Sequence, residues 1–300
     1  MTVAVLYGGP SEERAISLAS GEAVAAALAR RGHAVARIDA GRDLPERLRE
    51  VGAERVWVAL HGPFGEDGVV QGCLETLGLP YTGSGVLGSA LAMDKLRSKQ
   101  VWQAAAIPTP PVVDLTREPE ATVAARLGWP VMVKPAASGS SLGITRVDDA
   151  AGLAAAHRDA AAFDATVLAE AWVDGAEVTV GVLDGEPLPV LRLRTARGFY
   201  DYTAKYDSGA GTEYHHPTGL GGEVEDYCQR VALAAFRALG CRGWGRVDLM
   251  VGESGVQVIE VNTIPGMTEH SLVPKAAAHA GIGFDDLVER ILATAATAQG

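Results

Sequence analysis

"GRVDLMVGESGVQVIEVNTIPGMTEHS" (residues 245–271) alternates apolar and polar residues around a glycine-rich turn, as a β-hairpin does, yet its polar positions include Arg246, Asp248, Glu260 and Asn262. Successive side chains of a strand point to opposite faces, so Arg246 and Asp248 share one side, and Glu260 and Asn262 share one. Whether the two pairs meet depends on register, because a one-residue slip sends every side chain to the other face. A three-residue loop Glu253-Ser254-Gly255, with Gly255 at positive φ, pairs Gly252 with Val256 and sets Asp248 opposite Glu260. A two-residue turn would put the acids on opposite faces. Carboxylates held side by side repel unless a cation lies between them. With a carboxamide two residues along, the donors are all oxygen, which suits Mg²⁺ shared with substrate phosphates. The competing reading is a solvated sheet face with these groups pointing at water.

Composition limits what such a site could serve. The chain has 300 residues, 48% hydrophobic and 21% charged, enough for one large or two to three small globular domains. Its 26 basic and 37 acidic residues give a net charge of −11, which argues against a phosphate-backbone footprint on nucleic acid or an anionic membrane surface. Any anion must be captured locally. Cys73, Cys228 and Cys241 are odd in number and lack CxxC spacing, so neither a disulfide framework nor a zinc site is expected. "MTVAVLYGGP" lacks a basic leader region, and no stretch approaches a membrane span, so a cytosolic protein is expected.

Outward from the hairpin, the chain alternates α and β. "VAVLYGG", the helical pattern of "SLASGEAVAAALARRG" and the strand "HAVARIDA" make a βαβ opening. The strand "RVWVALHG" and the helix and crossover of "VVQGCLETLGLPYTGSG" extend it into a small parallel sheet, and residues 1–88 read as one domain. "SALAMDKLRSKQVWQAAA" is expected as a helix stopped by Pro108. "PVMVKPAASGSSLGITRV", "ATVLAEAWV" and "AEVTVGVLDGEPLPVLRL" follow as strands, giving the middle an α+β character. Residues 197–222 have no periodicity, are rich in Gly and Tyr, and run longer than loops usually do, as lids often are.

Two glycine motifs compete. "GSGVLG" (83–88) matches GxGxxG, but no clear preceding strand or following acidic residue completes a dinucleotide fingerprint; a helix start needing a tight turn explains it as well. "SGSSLG" (138–143) begins four residues after Lys134 at the end of an apolar strand. Backbone N–H groups of such a turn can wrap phosphate oxygens while lysine supplies a point charge; the alternative is an exposed hairpin turn. That loop, lysines 95, 134 and 205, and the Asp/Glu/Asn cluster are the parts of nucleotide-driven phosphoryl transfer. They do not name the acceptor.

The motifs "GGPSEER", "ALHGPFGEDGVVQG", "LPYTGSGVLGSALAMDKLRSK", "VKPAASGSSLGI", "FYDYTAKY", "GWGRVDLM" and "EVNTIPGMTEHSLVP", in this order, resemble the D-alanine–D-alanine ligases, ATP-grasp enzymes of peptidoglycan precursor synthesis. The resemblance runs from "AVLYGGPSEERAISLASG" to the C-terminal helix. It implies an ATP-grasp fold behind an N-terminal Rossmann-like parallel-sheet domain, divided as 1–88 (substrate), 89–174 (central) and 175–300 (C-terminal, with metal and oxyanion site). Glu13 would contact the ammonium of the first D-alanine, although an acid at a helix start also suits the macrodipole. Lys95 and Lys134 would hold ATP phosphates, with Ser141 and its loop closing over them. Glu170, Ala171, Trp172 and Val173 would carry adenine, and Glu177 the ribose hydroxyls. Relatives often have a lysine where this chain has Ala171, so one adenine contact would rest on backbone alone. Lys205 would meet the γ-phosphate, and Tyr206, Ser140 and Glu13 would hydrogen-bond to one another when the 197–222 lid closes and excludes water.

Asp248, Glu260 and Asn262 would hold two Mg²⁺ ions, with Mn²⁺ as a substitute, while Arg246 and the N–H of Gly266 would stabilise a tetrahedral oxyanion. Ser271 and Leu272 would receive the second substrate's carboxylate at a helix N-terminus. His61 would line the substrate site, or equally be a satisfied core histidine. The implied reaction joins two D-alanine molecules through a D-alanyl phosphate, with D-lactate or D-serine as the alternative second substrate; Tyr206 matches the D-alanine form. A homodimer in the cytoplasm is also implied. A catalytically silent nucleotide-binding module would have lost some of Arg246, Asp248, Glu260, Asn262 and Lys205, and all five are present. A dehydrogenase would show no ATP requirement.

Overall fold

A computed structural model describes residues 1–139, 142–194 and 213–298. The expected sites Ser140, Ser141, Lys205 and Tyr206, and residues 197–212 of the expected lid, lie outside the described residues. Strands β1 (Thr2–Tyr7), β2 (Ala34–Asp39) and β3 (Arg55–Val58) form a parallel sheet in the order β2-β1-β3. The helix Arg14–Arg30 crosses from β1 to β2 and buries its small residues Ala25 and Ala27 with Val24 and Leu28. Near-continuous apolar runs such as Val3–Leu6 suit strands of a parallel sheet covered by helices.

The rest of the described chain builds two antiparallel sheets. Strands β4 (Val112–Asp114), β5 (Val131–Pro135), β6 (Thr145–Val147) and β7 (Val167–Ala171) are ordered β4-β7-β5-β6. Strands β8 (Gly175–Leu183), β9 (Glu186–Pro187), β10 (Leu191–Arg194), β11 (Glu213–His215), β12 (Trp244–Gly252) and β13 (Gly255–Asn262) make the second sheet, with the path β11-β10-β8-β12-β13 and β9 paired to β8. The described end of the expected lid is therefore partly ordered as an edge strand.

One expectation is corrected between residues 89 and 106. Instead of a single helix there are two, Val86–Met93 and Lys95–Ala104. Asp94 is extended (φ −90°, ψ 100°) and its carboxylate accepts from the Arg97 N–H, so it ends the first helix and caps the second. Lys95 is thereby placed at a helix start rather than in mid-helix.

The hairpin corrects a second expectation. Gly252 pairs with Gly255, not Val256, so only Glu253 and Ser254 form the loop, and Gly255 takes φ +89°. That turn alone would separate the acids. Yet Asp248 is opposite Glu260, because the register shifts between Asp248 and Leu249: Leu249 pairs with Val258, leaving Ile259 as an extra residue. This β-bulge moves the buried positions of β13 from Val256 and Val258 to Val261. The expected pairing holds, by a different cause.

The core under the parallel sheet continues into the hairpin. Trp57 of β3 and Trp244 of β12 are buried with ring centroids 6.0 Å apart, and Ile264, Met267 and Leu272, beyond the hairpin, join the same cluster. Truncating an indole in such a core costs about 3–5 kcal/mol. The fold thus fixes the position of the hairpin's exit loop against the N-terminal sheet.

A Cβ at Gly255 would meet nothing within 4 Å, so its left-handed backbone is the sole obstacle to substitution. Gly255→Ala should cost roughly 1 kcal/mol and lower Tm by about 2 °C in calorimetry, with Gly255→Asn recovering most of the loss. An unchanged Tm in the alanine variant would contradict this turn geometry.

Candidate active site

Loops from the N-terminal region form one wall. Arg14 grips Asp39 with both terminal guanidinium nitrogens, Ser11 Oγ donates to the His61 carbonyl (2.6 Å), and the Glu13 N–H donates to Ser11 Oγ (3.1 Å). Glu13 is thereby set between two glycines: a Cβ on either Gly62 or Gly139 would lie 2.6 Å from its Oε2. Gly139 belongs to the expected phosphate loop, so this carboxylate spans from the N-terminal helix start to that loop. It makes no side-chain cap.

His61 is buried, with Nε2 3.3 Å from Ser20 Oγ, and burial holds its pKa down to about 4, so the ring is neutral at pH 7. It is thus a buried histidine that also lines the cavity that Glu13 faces. Ser20 Oγ also accepts from the Met267 N–H (3.0 Å), tying the chain beside Gly266 to the first helix. Ser271 stands at the N-terminus of the helix Leu272–His279, where its Oγ accepts from the Thr268 N–H. The free N–H groups of such a terminus carry partial positive charge, a setting for a carboxylate.

The polar face of the hairpin forms the floor. Arg246 pairs with Asn262 across the strands and Asp248 with Glu260. Arg246 clasps Asp248 through Nε (2.9 Å to Oδ1) and Nη2 (2.8 Å to Oδ2). Lys95 Nζ lies 3.3 Å from Glu260 and donates to the Ser138 carbonyl (2.9 Å). Each acid of the expected metal site thus has a cation beside it, and the two carboxylates and the carboxamide share one face. An all-oxygen donor set of this kind fits Mg²⁺.

The expected adenine segment holds a less expected group. Glu170 of β7 is buried between two lysines: Lys134 Nζ is 2.5 Å from Oε1, and Lys99 Nζ abuts Oε2. Burial works against its charge, but the two ammonium groups prevail and hold the carboxyl below its usual range. Lys99, fully buried, donates to Thr109 Oγ1, which donates to the Val258 carbonyl of β13. Two lysines against one acid leave the trio net positive, with burial lowering the pKa of Lys99. Ala171, Trp172, Val173 and Glu177 line a second cavity together with Lys134 and Glu170, and the Arg146 guanidinium sits 4.6 Å from the Trp172 ring.

Three groups here were not anticipated: Lys99, Glu66 and Thr179. Glu66 accepts from the Gly62 N–H (2.7 Å) and the Ile264 N–H (3.3 Å), and burial, with the Glu13 charge, pushes its pKa up to about 8. Thr179 of β8 donates to Asp248 Oδ1 at 2.6 Å. Lys99 follows Lys95 by one helical turn, a spacing that could have exposed it. Nothing marked a loop acid or a strand threonine.

These residues border two cavities, of about 520 Å³ and about 400 Å³. The larger is lined by Glu13, His61, Glu66, Arg246, Gly266 and Ser271. The smaller is lined by Lys134, Glu170–Glu177, Asp248 and Met250. Lys95, Ile144 and Glu260 line both.

Residues 101–293 match the family model described as D-ala D-ala ligase C-terminus, and residues 43–84 the one described as D-ala D-ala ligase N-terminus. The D-alanine–D-alanine ligase of Halorhodospira halophila is 54% identical over 294 residues, covering 98% of this chain and 95% of its own. The crystal structure of the D-alanine–D-alanine ligase from Bacillus anthracis gives a TM-score of 0.88 at 36% identity, covering 98% of this chain and 97% of the other. Its complex with ATP gives 0.87 at 33% identity with the same coverage. The two antiparallel sheets around the smaller cavity are those of an ATP-grasp fold, and the chain belongs to the D-alanine–D-alanine ligase family.

Proposed function

We infer that the protein joins two D-alanine molecules, with ATP as co-substrate, to give D-alanyl-D-alanine, ADP and phosphate. The observation that carries this is the meeting of the two cavities at Lys95 and Glu260. A nucleotide in the smaller one would present its γ-phosphate there to an amino acid in the larger. The carboxylate of the first D-alanine attacks the γ-phosphorus and ADP leaves. The amine of the second D-alanine, having lost a proton, then attacks the acyl carbon, and phosphate departs as the C–O bond breaks.

Glu13 would hold the first ammonium, while Lys95 and Lys134 would offset the triphosphate. Arg246 and the Gly266 N–H are the candidates for the oxyanion, whose charge develops only in the transition state. The N-terminus at Ser271 and Leu272 would orient the second carboxylate. Neutral His61 adds no cation to compete for it. Mg²⁺ held by Asp248, Glu260 and Asn262 would polarise the phosphates and neutralise charge on the leaving ADP. Ser140, Ser141, Lys205 and Tyr206 complete the proposal from family resemblance, as do the three-way division at 88 and 174, the homodimer and the cytoplasmic setting. Among the described residues no helix is long and apolar enough to cross a membrane. D-lactate or D-serine would present the same carboxylate to Ser271, so the second substrate is settled by assay.

Phosphate release from Mg²⁺·ATP should require D-alanine, yield the dipeptide, and fall by at least about 100-fold in Arg246→Met. D-alanyl-D-serine or D-alanyl-D-lactate as the main product when D-serine or D-lactate is offered alongside D-alanine would transfer the assignment to that ligase. A second test concerns Glu170. Glu170→Gln leaves two buried lysines uncompensated and should destabilise by about 3 kcal/mol. Because phosphate offsets Lys134, ATP should raise the Tm of this variant more than that of the wild type. An equal rise would mean that Lys134 does not face the nucleotide.

A further inference from the structure

We infer that Thr179 is a positioning residue that keeps Asp248 aimed at the metal once Arg246 has left it. The inference rests on the reading of Asp248 as a metal ligand and adds a residue to it.

Thr179 sits on β8 directly across from Asp248, which is itself across from Glu260, so the three lie in one row over β8, β12 and β13. Its side chain is 2% exposed, and Oγ1 is 2.6 Å from Asp248 Oδ1, against 3.3 Å from the Val247 carbonyl. A hydroxyl has one proton to donate, and the shorter contact to the charged acceptor takes it.

Among the described residues two donors hold Asp248, and they differ in kind. Arg246 engages both carboxylate oxygens, but it is a cation, so it competes with any metal for the same charge, and the proposed chemistry needs it at the oxyanion. Thr179 is neutral and engages one oxygen only. A carboxylate offers about four lone-pair sites, so a metal can share Asp248 with Thr179 without opposing charge. Thr179 is also hard to displace. Its β-branched side chain has a restricted χ1 and its backbone is paired on both sides, with β10 at Leu191 and β12 at Asp248. When the guanidinium turns away, the hydroxyl still fixes the rotation of the carboxylate. Groups that orient metal ligands in this way typically change metal affinity by about 10–100-fold when removed.

The test is Mn²⁺ binding to the full-length protein in the presence of a non-hydrolysable ATP analogue, followed by electron paramagnetic resonance of free Mn²⁺. Thr179→Val, which keeps the shape and deletes the hydroxyl, should weaken Mn²⁺ by about 10-fold or more, leave affinity for the metal-free nucleotide unchanged, and be largely rescued in Thr179→Ser. If the valine variant does not fold, Thr179→Ala is titrated in its place with the same expectation. Wild-type Mn²⁺ affinity in the hydroxyl-free variant, beside a large loss in Asp248→Asn, would overturn the role of Thr179 alone. No loss in Asp248→Asn would overturn the metal reading, and this inference with it.

Discussion

The β-bulge at Ile259 is the constraint on which the site depends. Along β13 the buried positions run Val256, Val258 and then Val261, and the phase change between the last two takes Glu260 and Asn262 off the core side. Without the extra residue, a two-residue turn would drive both groups toward the helix Gly222–Ala238, which packs against this sheet. Burying an unpaired carboxylate there would cost several kcal/mol or force its protonation. With it, Asp248 and Glu260 face each other across two strands, beside Arg246 and Asn262, over the floor of two joined cavities.

A row of acids on one face must be neutralised, and the surrounding elements supply the charge locally. Arg246 comes from the hairpin itself, Lys95 from a helix start that Asp94 creates, and Lys134 from β5. Glu170, with Lys99 behind it, holds Lys134 in place at the wall of the smaller cavity. The chain as a whole carries −11, so anion capture here owes nothing to the overall field and everything to these short contacts. Electrostatic preorganisation of this sort acts without reorganising at the moment of reaction.

Much of this was legible in the sequence because its signals are local. Alternation along the strands, helical periodicity after β1, and the motif order gave the sheets and the family. The pairing of Asp248 with Glu260 was anticipated, but through a longer loop; the broken valine spacing "VQVIEV" was the available sign of the bulge. What escaped notice depends on contacts between distant segments. Glu170 reads as part of an adenine strand until Lys99 and Lys134 are seen on either side of it. Glu66 owes its raised pKa first to burial and then to the charge of Glu13, 53 positions away in a different loop. Thr179 reads as an ordinary strand former until β12 brings Asp248 opposite.

The most direct test is anomalous diffraction from crystals of the protein grown with Mn²⁺ and a non-hydrolysable ATP analogue. The account predicts manganese peaks about 2.1 Å from oxygens of Asp248, Glu260 and Asn262, between the hairpin and the triphosphate. Peaks bound elsewhere, with the hairpin face turned to water, would contradict it.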